Sequence, residues 1–133
     1  MSSPYLLFVD DDPDEIDIAL ELFREANLEH RMKSVHNGVE ALAFLENAAA
    51  ANKLPVMLVL DINMPKMNGI DALKELNKMY FFRSIQVFMH STAFDDYTIQ
   101  LCQLLGVKGF IRKSRDNEGL KNLIQHIGAM IEQ

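Results

Sequence analysis

A single cysteine, Cys102, stands in a chain of 133 residues. It excludes an internal disulfide and suits a reducing compartment, so the expected setting is the cytoplasm. Basic residues are outnumbered: 13 Lys and Arg against 19 Asp and Glu leave a net charge of −6. A domain that binds nucleic acid by neutralising phosphates is normally basic, so no nucleic-acid partner is expected. The first residues, MSSPYLLFVDDD, carry no basic stretch ahead of the short apolar run Tyr5–Val9, and no later run is long enough to cross a bilayer. Neither a signal peptide nor a membrane span is expected. Repeats, low-complexity tracts and a linker to a second unit are also missing. The expected organisation is one domain over residues 1–133, 49% hydrophobic and large enough to bury a core, and no output domain is expected after its last helix.

The most informative stretch is Val56–Gly69, VMLVLDINMPKMNG. Five apolar residues, Val56–Leu60, read as a strand buried on both faces, with Asp61 directly after it. Met64-Pro65 forces a turn, and Asn68 can cap a new helix with Asp71 as its reciprocal partner. Around this stretch, strand-like and helix-like segments alternate. Tyr5–Val9 leads to Asp10-Asp11-Asp12-Pro13, where Asp12 suits an N-cap, Pro13 the first helical position and Glu15 the capping-box partner. That helix runs to about Ala26. A weaker strand, Arg31–His36, precedes a helix capped by Asn37 and running to about Ala49. A third helix spans about Gly69–Met79, and Ile85–His90 is the next strand. A helix starting at Asp95-Asp96 stops at Gly106, a natural C′ residue. The short strand Gly109–Ile111 leads to Arg112-Lys113, and a last helix covers about Asn117–Ile131. Five β-α units predict an α/β fold, a parallel sheet with helices on both faces.

In such a sheet the carboxyl ends of all strands share one rim, where ligands bind. Asp10, Asp11, Asp61, Ser91, Thr92 and Lys113 are expected there, with His36 the only candidate from the second strand. Three carboxylates on one rim repel one another, each pair by roughly 3 kcal/mol at about 6 Å and an effective dielectric near 20. A hard divalent cation relieves this, and oxygen ligands select magnesium over zinc. The candidate ligands are Asp10, Asp11, Asp61 and the backbone carbonyl of Asn63. Lys113 would offset an anion at Asp61. Thr92 offers a hydroxyl donor; Ser91, pointing to the opposite side of its strand, ranks second. A carboxylate nucleophile, a cation, an amine and a hydroxyl around one space suit phosphoryl transfer. A phosphatase with an aspartate nucleophile would need a second acid/base carboxylate just beyond it, and that position holds Asn63. A flavin protein would need a Gly/Ser/Thr-rich loop after the first strand, where this chain has acids. The four histidines show no ligand spacing. Tyr80-Phe81-Phe82 is a candidate contact patch between the third helix and fourth strand.

On these motifs the chain resembles the receiver domain of two-component response regulators, from Leu6 to Ile131. Asp61-Ile-Asn-Met64-Pro65-Lys-Met-Asn-Gly69 is similar to the family's phosphorylation loop, Val9-Asp10-Asp11 to its acidic pair, Thr92-Ala93 to its switch hydroxyl and small residue, and Lys113 to its lysine. Phe110 stands where an aromatic switch residue is expected, without a tyrosine hydroxyl, and Ser114 stands where the family usually has proline. The resemblance implies a flavodoxin-like doubly wound five-stranded sheet of order 2-1-3-4-5 with five helices. It implies a phosphoacceptor rather than an enzyme, phosphorylated on Asp61 with Mg2+ by a sensor histidine kinase or phosphotransfer protein. Thr92 and Phe110 would switch a surface read by a downstream protein. It leaves a homodimer open. The alternative is a module of the same fold that signals by contact without taking phosphate.

Overall fold

The computed structural model describes residues 4–132; residues 1–3 and 133 of the expected domain lie outside it. The elements are β1 (Leu6–Val9), α1 (Pro13–Glu25), β2 (Met32–Val35), α2 (Gly38–Ala50), β3 (Met57–Asp61), α3 (Gly69–Asn77), β4 (Gln86–Ser91), α4 (Asp96–Leu104), β5 (Gly109–Arg112) and α5 (Glu118–Glu132). Short 3-10 turns at Glu29–Arg31 and Phe82–Ser84 lead into β2 and β4. All strand pairs are parallel, in the order β2-β1-β3-β4-β5. This is the doubly wound arrangement expected.

Alternation along the central strands divides the core in two. Leu7, Val9, Leu58, Leu60, Val87 and Met89 pack on Ala41 and Leu45 of α2, Leu73 and Leu76 of α3 and Cys102 of α4. Leu6, Phe8, Met57 and Val59 pack on Ala19 and Phe23 of α1 and the α5 stripe Leu120, Leu123, Ile124 and Ile127. A strand buried on both faces needs both neighbours, so β3 carries no polar residue until Asp61.

The helices start where short polar side chains satisfy their first free N–H groups. Asn37 accepts from Glu40 N, Asn68 from Asp71 N and Asp95 from Thr98 N. At α1 the detail differs from expectation. Asp12 accepts from Asp14 N rather than pairing with Glu15, and no return bond from Asp71 to Asn68 forms among the described residues. Gly106 takes φ 91° at the end of α4, the left-handed turn that favours glycine. Asp61 is the last residue of β3, not the first of the loop, and α3 stops at Asn77, two residues early. No described helix is long and apolar enough to cross a membrane.

Candidate functional site

The last backbone rungs of the sheet fix the rim at β1, β3 and β5. Asp10 N donates to Val35 O, Ile62 N to His90 O and Lys113 N to Ser91 O. In sequence parity, Asp10, Asp61 and Lys113 follow Phe8, Val59 and Ile111, residues of the core under α1 and α5. Their side chains accordingly meet. Lys113 Nζ lies 3.1 Å from Asp61 Oδ1 and 3.2 Å from Asp10 Oδ2. Asp10 is 0% exposed and Asp61 2%. Asp11 is exposed, yet one carboxylate oxygen from each of Asp10, Asp11 and Asp61 fits within 4.8 Å of the others.

The oxygens are unevenly satisfied. Asp10 Oδ1 accepts from Asp12 N at 3.0 Å. Its Oδ2 pairs with Lys113 by charge but has no hydrogen-bond donor, although it is buried. Asp61 Oδ1 takes both Lys113 and, at 3.4 Å, Asn63 N; Oδ2 takes none of the hydrogen bonds formed among the described residues. A buried oxygen without a donor, as at Asp10 Oδ2, is costly unless a cation or donor reaches it. The donor set is all oxygen and carries more negative charge than one lysine cancels. It therefore fits a hard divalent cation.

Burial pushes Asp61 up to about 6, helped by the charge of Asp10, while Lys113 and the Asn63 N–H pull the other way. Burial alone would lower the Lys113 ammonium, but Asp61 and Asp10 outweigh it and hold it above its ordinary value. Glu15 is raised by burial and feels both Lys113 and Asp10. It lies near enough to feel the site's charges, and the capping bond that its spacing predicted is absent, since Asp12 N donates to Asp10 Oδ1 instead.

The loop after β3 is held tightly. Lys66 adopts φ 66°, Met67 N donates to Pro65 O, and Gly69 N returns to Ile62 O at 2.9 Å. A Cβ on Gly69 would run into the carbonyl of Asp61 itself. This close approach makes glycine a requirement at that position.

The hydroxyls divide differently from expectation. Ser91 ends β4, is buried, and donates to Ala93 O at 3.0 Å. Thr92 lies beyond the strand and is exposed. Phe110 is half-buried on β5, edge-on to Phe94 of the β4–α4 loop with centroids 5.1 Å apart. His36 is occupied by Glu40 at 3.2 Å. His90, the register partner of Asp61, is buried edge-on to Phe8. Burial and then Lys113 push it down to about 4, so it is neutral. The Lys113–Ser114 bond is trans, as are all described peptide bonds.

A family profile described as "Response regulator receiver domain" matches residues 6–125. The two-component response regulator ORR12 of Oryza sativa subsp. japonica is 31% identical over 128 residues, covering 96% of this chain and 100% of that one. Among solved structures, the phosphorylated cyanobacterial phytochrome response regulator RcpA aligns with a TM-score of 0.80 at 25% identity, over 99% of this chain and 96% of that one. A two-component response regulator from Legionella pneumophila aligns with a TM-score of 0.80 at 28% identity, over 95% and 98%.

Proposed function

The chain belongs to the response regulator receiver domain family, and from that premise we propose that it is a cytoplasmic phosphoacceptor of a two-component system, taking a phosphoryl group on Asp61. The donor is the phosphohistidine of a sensor kinase or phosphotransfer protein. The observation that carries this reading is the contact of one ammonium, Lys113, with both Asp61 and Asp10 at the mouth of the sheet. The phosphorylated state of the relative RcpA supports it by analogy.

A carboxylate oxygen of Asp61 attacks phosphorus. The new P–O bond forms as the P–N bond to the donor imidazole breaks, and the electron pair stays on the imidazole nitrogen. Oδ2 is the better candidate for attack, since Oδ1 is already engaged by Lys113 and Asn63 N. Asp61 must be ionised for this, and Lys113 favours that form. Asp10, Asp11 and Asp61, with the Asn63 carbonyl, would hold Mg2+, and its charge would shield the phosphoryl oxygens from the carboxylates. Lys113 then offsets the charge of the acyl phosphate. A hydroxyl from Thr92 or Ser91 donates to a phosphoryl oxygen. Either movement pulls on the β4–α4 loop, where Phe94 touches Phe110. That couples the site to the surface of α4, β5 and α5, which a downstream protein reads.

The test is incubation with acetyl phosphate and Mg2+ followed by intact-mass measurement. Wild type should gain one phosphoryl group and Asp61→Asn none. Equal gain by both, or none by wild type, contradicts the reading. Ser91→Ala and Thr92→Ala, compared in the same assay, identify the hydroxyl that prolongs the phosphorylated state.

A further inference from the structure

At the other end of the sheet, below the amino-terminal ends of β4 and β5, lies a groove of about 630 Å³. Its rim carries the two most exposed large apolar side chains among the described residues: Tyr80, 87% exposed, after α3, and Leu104, 84% exposed, at the end of α4. Isolated exposed apolar residues are ordinary, but two at this level facing one groove are not. Phe82 and Val87, both buried, lie in its lining.

The groove is preformed. Asn77 Nδ2 donates to Leu105 O at 2.8 Å and ties the end of α3 to the end of α4. Lys108 N donates to Val87 O at 2.7 Å and fixes the floor. Tyr80 rests edge-on against the buried Phe81, with centroids 5.3 Å apart.

The charge of the groove is opposite to that of the chain. The protein has 19 acidic residues and a net charge of −6, yet no Asp or Glu lines this groove, while Arg83 and Lys108 do. Among the described residues neither cation has a carboxylate within ion-pair distance. A second hollow of about 480 Å³ lies beside α5, shares Gln86 and Lys108 with the first, and also lacks acids. Lys108 therefore sits between the two hollows, the second of them mainly apolar.

We propose that this end of the molecule is a docking site for an acidic, apolar-tipped segment of a partner protein. Leucine or aromatic side chains of the segment enter between Tyr80 and Leu104, and its carboxylates pair with Arg83 and Lys108. The site is built from residues remote in the fold from Asp61, so the proposal stands whether or not Asp61 takes phosphate.

Panning a random-peptide phage library on the wild-type chain tests it. Enriched peptides should combine Asp or Glu with Leu, Phe or Trp, and bind more weakly as salt rises. Synthetic copies should lose roughly tenfold or more in affinity on Tyr80→Ser or Leu104→Ser, which remove apolar anchors. Arg83→Glu and Lys108→Glu should each weaken binding several-fold, chiefly through association rate. All four substitutions lie at exposed positions, and circular dichroism with intact-mass phosphorylation checks that the fold is kept. Peptides of neutral or basic character, no enrichment, or affinities untouched by these substitutions would overturn the proposal. So would a wild-type dimer in sedimentation that Leu104→Ser dissolves, because a second copy would then be the occupant.

Discussion

Asp61 is buried beside another carboxylate, and ionising it costs folding free energy. Its folded value of about 6 lies above the unfolded carboxylate value. The stability it contributes is therefore present below about pH 4 and lost as pH rises through about 6. At face value the shift is worth roughly 3 kcal/mol, and water access at the open rim reduces this to about 1–2 kcal/mol. Without divalent cations, Asp61→Asn should be more stable than wild type by about 1–2 kcal/mol at pH 7.5 and equal to it near pH 4, as read by urea unfolding. His90 titrates in both proteins and cancels from that difference. A stability difference independent of pH would show that Asp61 is ionised without strain. Lys113 acts in the opposite sense. Lys113→Ala should destabilise by about 1–3 kcal/mol at pH 7.5, since it strands two buried carboxylates. The double variant with Asp61→Asn should recover most of that loss, and simple additivity would rule out the coupling.

The loop between β3 and α3 is the element on which the geometry of Asp61 depends. Gly69→Ala places a methyl group against the Asp61 carbonyl, which is backbone and cannot yield cheaply. A destabilisation of about 2–4 kcal/mol is expected, more than overpacking alone usually costs because the strand end itself must move. Phosphoryl gain should fall with it. Thermal unfolding and the intact-mass assay on the same sample check both, and a fully active Gly69→Ala would contradict the role given to this glycine. Elements like this were legible in the sequence where the signal is local. Asn37, Asn68, Asp95 and Gly106 sit at helix ends for reasons contained within a few residues. The differences arise where a neighbour distant in sequence decides the outcome. Asp12 bonds Asp14 N, while Glu15 feels the charge of Lys113, which β5 brings from far along the chain. Asp61 ends β3 rather than following it because β4 extends the pairing to His90. Whether Ser91 or Thr92 is the buried hydroxyl turns on where β4 stops, and periodicity places strand ends only to within a residue or two.

For the molecule as a whole, the site is a product of topology. Alternating units predicted a parallel sheet and a shared rim, but strand order came from family resemblance, since right-handed crossovers leave several orders open. The distances that matter, Lys113 to Asp61 and Asp10, span more than fifty residues of chain and were beyond any local pattern. The same sheet places the groove rimmed by Tyr80 and Leu104 at its opposite end, where Tyr80-Phe81-Phe82 divides into one exposed ring and two buried ones. Binding of a cation to the rim should stabilise the whole fold. At a hundred times its dissociation constant Mg2+ should add about 2.7 kcal/mol, and Asp10→Asn or Asp61→Asn should lose most of that increment in urea titrations with and without the ion. The central claim is that folding gathers these groups around one aspartate able to carry phosphorus. Borohydride reduction of the acetyl phosphate-treated protein, followed by peptide sequencing, tests it most directly, because an acyl phosphate is converted to homoserine where it stood. The account predicts homoserine at position 61 and nowhere else. Homoserine at Asp10 or Asp11, or none in a protein that has gained phosphoryl mass, would contradict it.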